Sequence, residues 1–345
     1  MTTKEMAQII GISRITLSKY LNGKGGISQK SIEKIERCLK QYNFVPNAHA
    51  RSLVGKRERI ISFVSTFSGV TDGVSRITSH FATLFTNYIL VEAKKFDLKV
   101  LVTITDSQHA IAEVEQLFSS SLISGAVIFG LETGSEGFEQ INRRGFPIVL
   151  VNQEDHSSSA NISLVNMDDR RCAYDAVHQL VEGGHRSLMY IGSSLKRLPA
   201  QRRAQGVLCA LNEVESQGVR CVMGNADFKE DLAYDYVKHY YSHHDRCPSA
   251  IIAANDLTAI GAINALKDLA IRVPEDVSVI GFDDIAISAY FSPPITTFRA
   301  DYQLMAQQTI KELVALIDGD HSATVIEIPM ELVARSSVSP RQQDA

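Results

Sequence analysis

The feature that most constrains the fold is a double series of apolar strand candidates separated by amphipathic helix candidates, beginning at residue 60. The first series predicts strands at 60–64, 99–103, 125–129 and 147–151, with helices near 79–96, 108–122 and 135–144. The second predicts strands at 187–192, 219–223, 249–254 and 277–282, with helices near 169–182, 201–216, 229–242 and 257–270. Strands that are apolar throughout and alternate with helices are typical of parallel sheets covered on both faces.

The two series therefore predict an α/β body, residues 59–345, made of two doubly wound parallel-sheet subdomains. We expect an amino subdomain at about 59–162 plus 298–320 and a carboxyl subdomain at about 163–297 plus 321–340. Ligands bind such sheets beyond the carboxyl ends of their strands, so the predicted ligand site is a cleft between the two subdomains.

Residues 1–45 contain no convincing strand and predict a small all-α head. Helices are expected at 3–10 and 14–21, with Gly11 in the turn between them and Ser13 as a plausible N-cap. A third helix follows in the segment 28–44, where apolar residues recur at helical spacing: Ile32, Ile35, Leu39 and Tyr42. This order predicts a helix-turn-helix unit.

Charge is distributed unevenly along the chain. Residues 1–59 hold 12 Lys/Arg and 4 Asp/Glu, a net +8, whereas the remainder holds 23 basic and 35 acidic residues, a net −12. A basic head on an acidic body predicts a polyanionic partner for the head alone. A merely solvated basic face is the alternative.

The helix predicted at 14–21 has an unusual outer face. Leu17 and Leu21 fall on one side, where they can pack on the first helix, and Ile15 and Lys19 fall on the other with Arg14 at the flank. Arg and Lys can bond guanine in the major groove, and Ile can contact a thymine methyl group. The pattern favours DNA recognition, with an ordinary surface helix as the alternative.

Several classes of site are not indicated. The five cysteines are scattered and never in C-x-x-C spacing, which argues against disulfides or a thiolate zinc site. His239, His243, His244 and Cys247 lie close together, but surface exposure explains them better than a metal. We therefore expect no metal and no cofactor.

No phosphate-binding loop, nucleophile elbow or nucleophile–base set is found, so an enzyme is not expected. No apolar run reaches the length of about 18 residues that a membrane span needs, and the start lacks a signal peptide. The sequence predicts a cytoplasmic protein with no membrane partner.

Ordered motifs across essentially the whole chain resemble the LacI/GalR (lactose-repressor/galactose-repressor) family of bacterial transcription regulators. They are "TKEMAQIIGISRITLSKYLN", "PNAHARSL", "GHRSLMYIG", "RRAQG", "AANDLTAIGAINAL", "VPEDVSVIGFDDI" and "PPITTFR". The resemblance implies a body of type I periplasmic-binding-protein fold and a homodimer that binds a pseudo-palindromic operator.

The family's DNA contacts can be carried over by position. On and around the second helix they fall on Ser13, Arg14, Ile15, Thr16, Lys19 and Asn22. In the hinge helix and linker at 46–58 they fall on Asn47, Ala50, Arg51 and Leu53, with Leu53 implied to wedge into the minor groove. Lys19 departs from the usual Arg and lacks its bidentate fork.

The resemblance also implies effector contacts at Arg203, Asp283, Asn255, Phe228 and Asn152. Together they form a set suited to a sugar, because Arg donates to hydroxyls, Asp accepts from them and an aromatic face covers the ring. The alternatives are a structural ion pair between Arg203 and Asp283 and a helix cap at Asn255 or Asp256. The amino-subdomain wall at about 66–85 cannot be aligned with the family, and the polar tail carries no leucine heptad for a tetramer.

These observations predict a ligand-responsive transcriptional repressor, controlling a sugar-utilisation operon through an effector in the cleft. A regulator that depends on a purine or nucleoside corepressor is the alternative, and a ligand-binding module without regulation is a weaker one. We expect the ligand to release DNA rather than to strengthen binding.

Overall fold

The computed structural model describes residues 3–21, 26–42, 59–66, 80–132, 143–154, 160–319 and 323–341. The chain divides into two compact units, Met1–Arg59 and Ile60–Ala345. The hinge at 46–58 and most of the helix predicted at 135–144 lie outside the described residues.

The described part of the head contains three helices, α1 (Thr3–Ile10), α2 (Arg14–Leu21) and α3 (Gln29–Gln41). Their core is formed by buried apolar side chains from all three: Met6, Ala7, Ile10, Leu17 and Ile35. Gly11 adopts φ 72° in the turn, and the Ser13 hydroxyl accepts a hydrogen bond from the Thr16 amide at 3.0 Å, as an N-cap does. Tyr42 differs from the prediction, because α3 ends at Gln41 and leaves this ring 45% exposed.

The first sheet of the body has six parallel strands in the order β11-β5-β4-β3-β1-β2. The strands are β1 (Ile60–Thr66), β2 (Lys99–Thr105), β3 (Gly125–Phe129), β4 (Ile148–Val151), β5 (Ile162–Met167) and β11 (Val325–Ile328). Helices α4 (His80–Lys95) and α10 (Tyr302–Asp318) cover one face, and α5 (Ala110–Ser119) covers the other.

The second sheet has the order β12-β10-β9-β8-β6-β7, with only β12 antiparallel to its neighbour. Its strands are β6 (Ser187–Gly192), β7 (Arg220–Asn225), β8 (Ala250–Ala253), β9 (Ser278–Asp283), β10 (Thr296–Ala300) and β12 (Met330–Val333). Helices α6 (Asp169–Glu182) and α7 (Leu198–Val214) pack on one face, and α8 (Glu230–His243) and α9 (Asp256–Asp268) pack on the other. Two doubly wound sheets are therefore confirmed.

The sheets divide the body differently from the predicted ranges. Strands β5 and β11, placed in the carboxyl subdomain by the sequence, pair in the first sheet, while β10 straddles the expected boundary at 298 and pairs in the second. Sequence patterning missed these strands because β5 carries buried polar residues, Ser163 and Asn166, and β11 is half exposed. The chain thus crosses between the halves three times.

No helix among the described residues is both long and apolar enough to cross a membrane.

Candidate functional site

The carboxyl edges of the two sheets approach each other near the start of α7, where the sequence predicts a cleft. Arg197, just before α7, donates a hydrogen bond to the carbonyl oxygen of Gly130, the residue that follows β3. Beside it, Lys196 Nζ lies 4.0 Å from Glu132 Oε2. The side of the cleft that α7 provides is thereby tied to the first sheet. Sequence reasoning missed Arg197, and only the contact across the cleft reveals its position.

Arg203 lies at the centre of the second sheet's edge and is 5% exposed. Its Nε donates to Asp169 Oδ1 at 2.7 Å and its Nη2 to Asp283 Oδ1 at 3.3 Å, while Nη1 donates to the carbonyl oxygen of Ala254. The guanidinium carbon also lies 4.6 Å from the centre of the Phe282 ring. The ion pair between Arg203 and Asp283 is present, and a second carboxylate, Asp169, joins it.

Burial is the largest single influence on the pKa of Asp169 and of Arg203. It raises the pKa of Asp169 even though Arg203 acts in the opposite direction. Burial also opposes the charge on Arg203, but the two carboxylates outweigh that effect and raise its pKa. Each buried charge here depends on a partner, so removal of one member leaves the other uncompensated.

Asp283 ends β9 in a turn of unusual backbone geometry. Its φ is 101° and that of Asp284 is 52°, both in the region that L-residues rarely adopt. The Asp283 side chain is 16% exposed, more open than Arg203 or Asp169. Asp284 pairs with Arg299 at 2.7 Å and with Arg335, which fixes the far side of the turn.

Asn255 has a structural role in the described contacts. Its Oδ1 accepts hydrogen bonds from the Thr258 amide at 2.9 Å and the Thr258 hydroxyl at 2.7 Å, so Asn255 is the N-cap of α9. Its Nδ2 donates to the carbonyl oxygen of Phe228 at 3.4 Å, which places the predicted aromatic residue beside it. Phe228 is half-buried, with φ 59°.

Asn152 lies on the opposite edge, directly after β4. It is 7% exposed, has φ 55°, and accepts a hydrogen bond from the Met167 amide at 3.1 Å through its Oδ1. The next residue, Gln153, is 1% exposed, and its Nε2 has no hydrogen-bond partner in the described part of the chain. The amide groups of Asn152 and Gln153 at this edge are therefore nearly buried, whereas the Asp283 carboxylate at the edge of the second sheet is more open.

In the head, α2 separates its two faces as expected. Leu17 is fully buried, Ile15 is 70% exposed and Lys19 is exposed. The Ser13 and Thr16 hydroxyls lie 2.8 Å apart at the start of the helix, and Tyr20 donates to Glu36 at 2.9 Å, tying α2 to α3. Arg14 begins α2 and Leu21 ends it, and both of these side chains lie outside the described atoms, so the inward position of Leu21 stays a prediction. Asn22, Asn47, Ala50, Arg51 and Leu53 also lie outside the described residues.

The histidines on α8 bond to their own helix. His243 and His244 contact the carbonyl oxygens of His239 and Tyr240. Within the described residues, no group of three or more His, Cys, Asp or Glu side chains is placed to hold a metal ion.

Comparison with known proteins matches both parts of the chain. A family model for bacterial regulatory proteins of the lacI family matches residues 2–47, and one for a periplasmic binding protein-like domain matches residues 177–338. The chain is 27% identical over 345 residues to the HTH-type transcriptional repressor PurR of Vibrio atlanticus, with 98% of each chain covered. It is 26% identical over 342 residues to the repressor of the same name from Mannheimia succiniciproducens, also with 98% of each covered.

Solved structures share the fold at low sequence identity. The lac repressor dimer bound to operator and the anti-inducer ONPF aligns with a TM-score of 0.83 and 22% identity, covering 98% of this chain and 99% of that one. A CelR–cellobiose complex aligns with a TM-score of 0.71 and 21% identity, covering 98% of this chain and 99% of that one. A LacI family regulator from Enterococcus faecium with bound ribose aligns with a TM-score of 0.68 and 21% identity, covering 82% of this chain and 100% of that one.

A helix-turn-helix head whose second helix has one exposed face thus precedes a two-sheet body with polar groups at its carboxyl edges, and the repressor relatives match both parts. The chain carries the DNA-binding head of the lacI family of bacterial regulatory proteins and a periplasmic binding protein-like body, and it is a DNA-binding repressor with an effector-binding body.

Proposed function

We propose that the effector is a neutral sugar bound in the cleft between the two sheets, and that its binding releases the repressor from the operator of a sugar-utilisation operon. The observation that carries this proposal is the pairing of Arg203 with the more open Asp283 at the carboxyl edge of the second sheet. Phe228 and Asn255 lie together on the same edge, and Asn152 lies on the edge opposite.

The chemistry of this edge fits hydroxyl groups. Asp283 can accept hydrogen bonds from neighbouring hydroxyls, and the Phe228 ring can cover the apolar face of a sugar. Arg203 already shares its charge between Asp169 and Asp283, so it attracts an anion less than a lone guanidinium would. A neutral, donor-rich molecule therefore fits better than a sugar acid.

A thermal-shift screen of the intact chain tests the effector class. Ribose, galactose and cellobiose should raise the melting temperature, because a ligand that binds only the folded state stabilises it by mass action. Gluconate serves as the anionic control and should leave it unchanged. A shift with gluconate and none with the neutral sugars would contradict the proposal.

A purine or nucleoside corepressor is the second candidate. It is favoured by the full-length relatives, which are PurR repressors. Hypoxanthine or guanine would then raise the melting temperature in the same screen and strengthen operator binding. The direction of the effect on DNA separates the two candidates, because a sugar inducer should weaken operator binding.

We further propose that α2 reads bases in the major groove through Arg14, Ile15 and Lys19, with Ser13, Thr16 and Asn22 beside them. The exposed Ile15 and Lys19 support this, since both project from a helix whose opposite face is buried. The hinge residues Asn47, Ala50, Arg51 and Leu53 are proposed to bind the minor groove at the operator centre. Leu53→Ala should then weaken specific binding far more than non-specific binding and reduce the operator bend.

A homodimer formed through the edge of the first sheet completes the proposal. The edge strand β2 and the adjacent helix α4 expose apolar side chains: Leu101, Val102 and Ile104 on the strand, Leu90 and Val91 on the helix. An uncovered apolar edge strand invites pairing with another chain. Light scattering should show dissociation for Ile104→Glu. The matched control is Leu332→Glu, on the edge strand β12, which should remain dimeric.

A further inference from the structure

One buried carboxyl group has no part in the site described above. Asp256, the first residue of α9, is fully buried, yet the capping role at this helix belongs to Asn255. Its carboxyl group is therefore turned to other partners. A Cβ atom at Gly281 would lie 2.2 Å from Asp256 Oδ1, so the glycine in β9 leaves room for this group against the strand that leads to Asp283.

The partners of Asp256 are all neutral donors on or beside the Asp283 turn. Its Oδ2 accepts from the Ile285 amide at 2.9 Å and the Ser288 hydroxyl at 2.6 Å. Its Oδ1 accepts from the Thr297 hydroxyl at 2.6 Å, and Thr297 Oγ1 in turn accepts from the Asp284 amide at 3.4 Å. Asp256 thus bonds directly to the amide of Ile285, which follows the two left-handed residues, and through the Thr297 hydroxyl to the amide of Asp284, the second of them.

Left-handed backbone at two successive aspartates is unfavourable and persists only when the surroundings hold it. We propose that Asp256 is the positioning residue of the effector site: it holds the turn 283–288 that presents Asp283 to the effector, and it couples that placement to proton binding. Asp256 acts through Asp283 without touching the effector. This inference rests on the proposed effector site.

The charges around Asp256 explain why the placement of the turn is coupled to proton binding. The groups that face it or its turn from the neighbouring elements are Asp283, Asp284, Tyr302, Arg203, Asp169, Arg299 and Arg335. Burial, and next the charge of Asp283, outweigh the three hydrogen bonds, which favour the charged form, and raise the pKa of Asp256 to about 7. When the turn 283–288 opens, water reaches Asp256 and the charge of Asp283 moves away from it. Asp256 therefore binds its proton less tightly when the turn is open than when it is closed. The closed turn is therefore favoured at lower pH and weakened as pH rises towards and through 7.

Hydrogen exchange of the backbone at 283–290, measured on the intact repressor and corrected for intrinsic rates, tests this without an effector. Protection in the unmodified protein should fall about tenfold from pH 6 to pH 8, the change expected for one proton with a pKa near 7. Asp256→Asn should show no such fall. The matched control is Asp268→Asn on the same helix, whose exposed carboxylate bonds Tyr234 and Lys238, and it should behave like the unmodified protein.

Two further variants separate positioning from a merely structural role. Asp283→Asn should shrink the fall in protection, because loss of the neighbouring charge lowers the pKa of Asp256. Ser288→Ala removes one bond to the turn and leaves the carboxyl group in place, so exchange should rise about fivefold at both pH values. Should Asp256→Asn fold poorly, these two variants still decide the matter. A tenfold fall that persists in Asp256→Asn, or one that is unchanged in Asp283→Asn, would overturn the inference.

Calorimetric titration with D-ribose and with hypoxanthine links the turn to the effector. The probe that binds should do so up to about tenfold more weakly at pH 8 than at pH 6, and equally at both in Asp256→Asn. Absence of binding by both probes contradicts the effector classes proposed above and leaves the exchange measurement to decide on Asp256. Binding with the same pH profile in both proteins overturns the positioning role.

Discussion

The cleft and the head carry the two sets of proposed binding residues, and the two sets differ in how extensively those residues are bonded to the protein itself. In the cleft, Arg203 is 5% exposed and bonds two carboxylates and a backbone carbonyl. On α2, Ile15 is 70% exposed and Lys19 projects outward. A residue already bonded within the fold serves stability as well as binding, whereas an exposed one serves binding alone. Substitutions should therefore separate the two regions.

The largest effect is expected from Arg203→Ala. It leaves Asp169, 2% exposed, without its ion-pair partner, so the free energy of unfolding should fall by about 3–5 kcal/mol in urea denaturation, and the effector response should be lost. The adjacent Arg202 pairs with the half-exposed Glu327 at 2.7 Å. Arg202→Ala is the control and should lose less than about 1 kcal/mol. Equal losses in the two variants would contradict the buried network.

The next effect concerns the head. Arg14→Ala should weaken binding to the operator by about 1–3 kcal/mol and relax preference at particular bases. Stability should change by less than about 0.5 kcal/mol, in contrast to the cleft variant. Gel-shift titrations on operator and on random DNA measure the change in DNA binding, and urea denaturation measures the change in stability. Lys30→Ala, on the exposed surface of α3, removes the same charge and should not alter base preference. An equal loss on random DNA for Arg14→Ala would identify a phosphate contact.

A smaller effect on stability follows from pH, and it should arise in the body, at the buried Asp256. Because the pKa of Asp256 is raised to about 7, the unfolded chain binds this proton less tightly than the folded one. Its stabilising contribution is complete below about pH 4 and is lost as pH rises through 7. The free energy of unfolding should fall by about 1.4 kcal/mol more between pH 6 and pH 8 than in Asp256→Asn. Parallel pH profiles for the two proteins would disprove this assignment.

The smallest effect is expected from Lys19→Arg. Arginine restores a planar fork that can bond guanine at two points, so operator affinity should rise by at most about 1 kcal/mol, or the preferred base should change. Stability should stay the same, because Lys19 lies on the exposed face of α2. Selection from a randomised half-site measures the preference. Identical affinity and preference would place residue 19 away from the bases.

The sequence predicted the elements of the two regions with unequal success. Apolar runs such as 125–129 and 187–192 match β3 and β6 to the residue. A strand buried on both faces is apolar at nearly every position, so its local composition is enough to predict it. The sequence did not predict strands β5 and β11. On β5 the pattern is broken by two buried polar residues: Asn166, which bonds to Gln153, and Ser163, which bonds to Glu312. Family motifs singled out Arg203 and Asp283, whereas no pattern in the sequence predicted the contacts that Asp169, Arg197 and Asp256 make.

What the sequence by itself determined is what short-range periodicity and composition encode: three helices in a basic head, an outward Ile15 and Lys19, and two series of strands and helices in the body. Only the tertiary structure decided which charges meet. Asp169 and Asp283 lie 34 and 80 residues from Arg203 in the chain. Asp169 reaches Arg203 because α6 packs beside α7, and Asp283 reaches it because β9 belongs to the sheet on which both helices pack. The same physical reason applies to Asp256, whose carboxyl group reaches turn residues 29 and 32 positions away once α9 packs against β9. Burial then sets its proton affinity, and burial is a property of the folded chain alone.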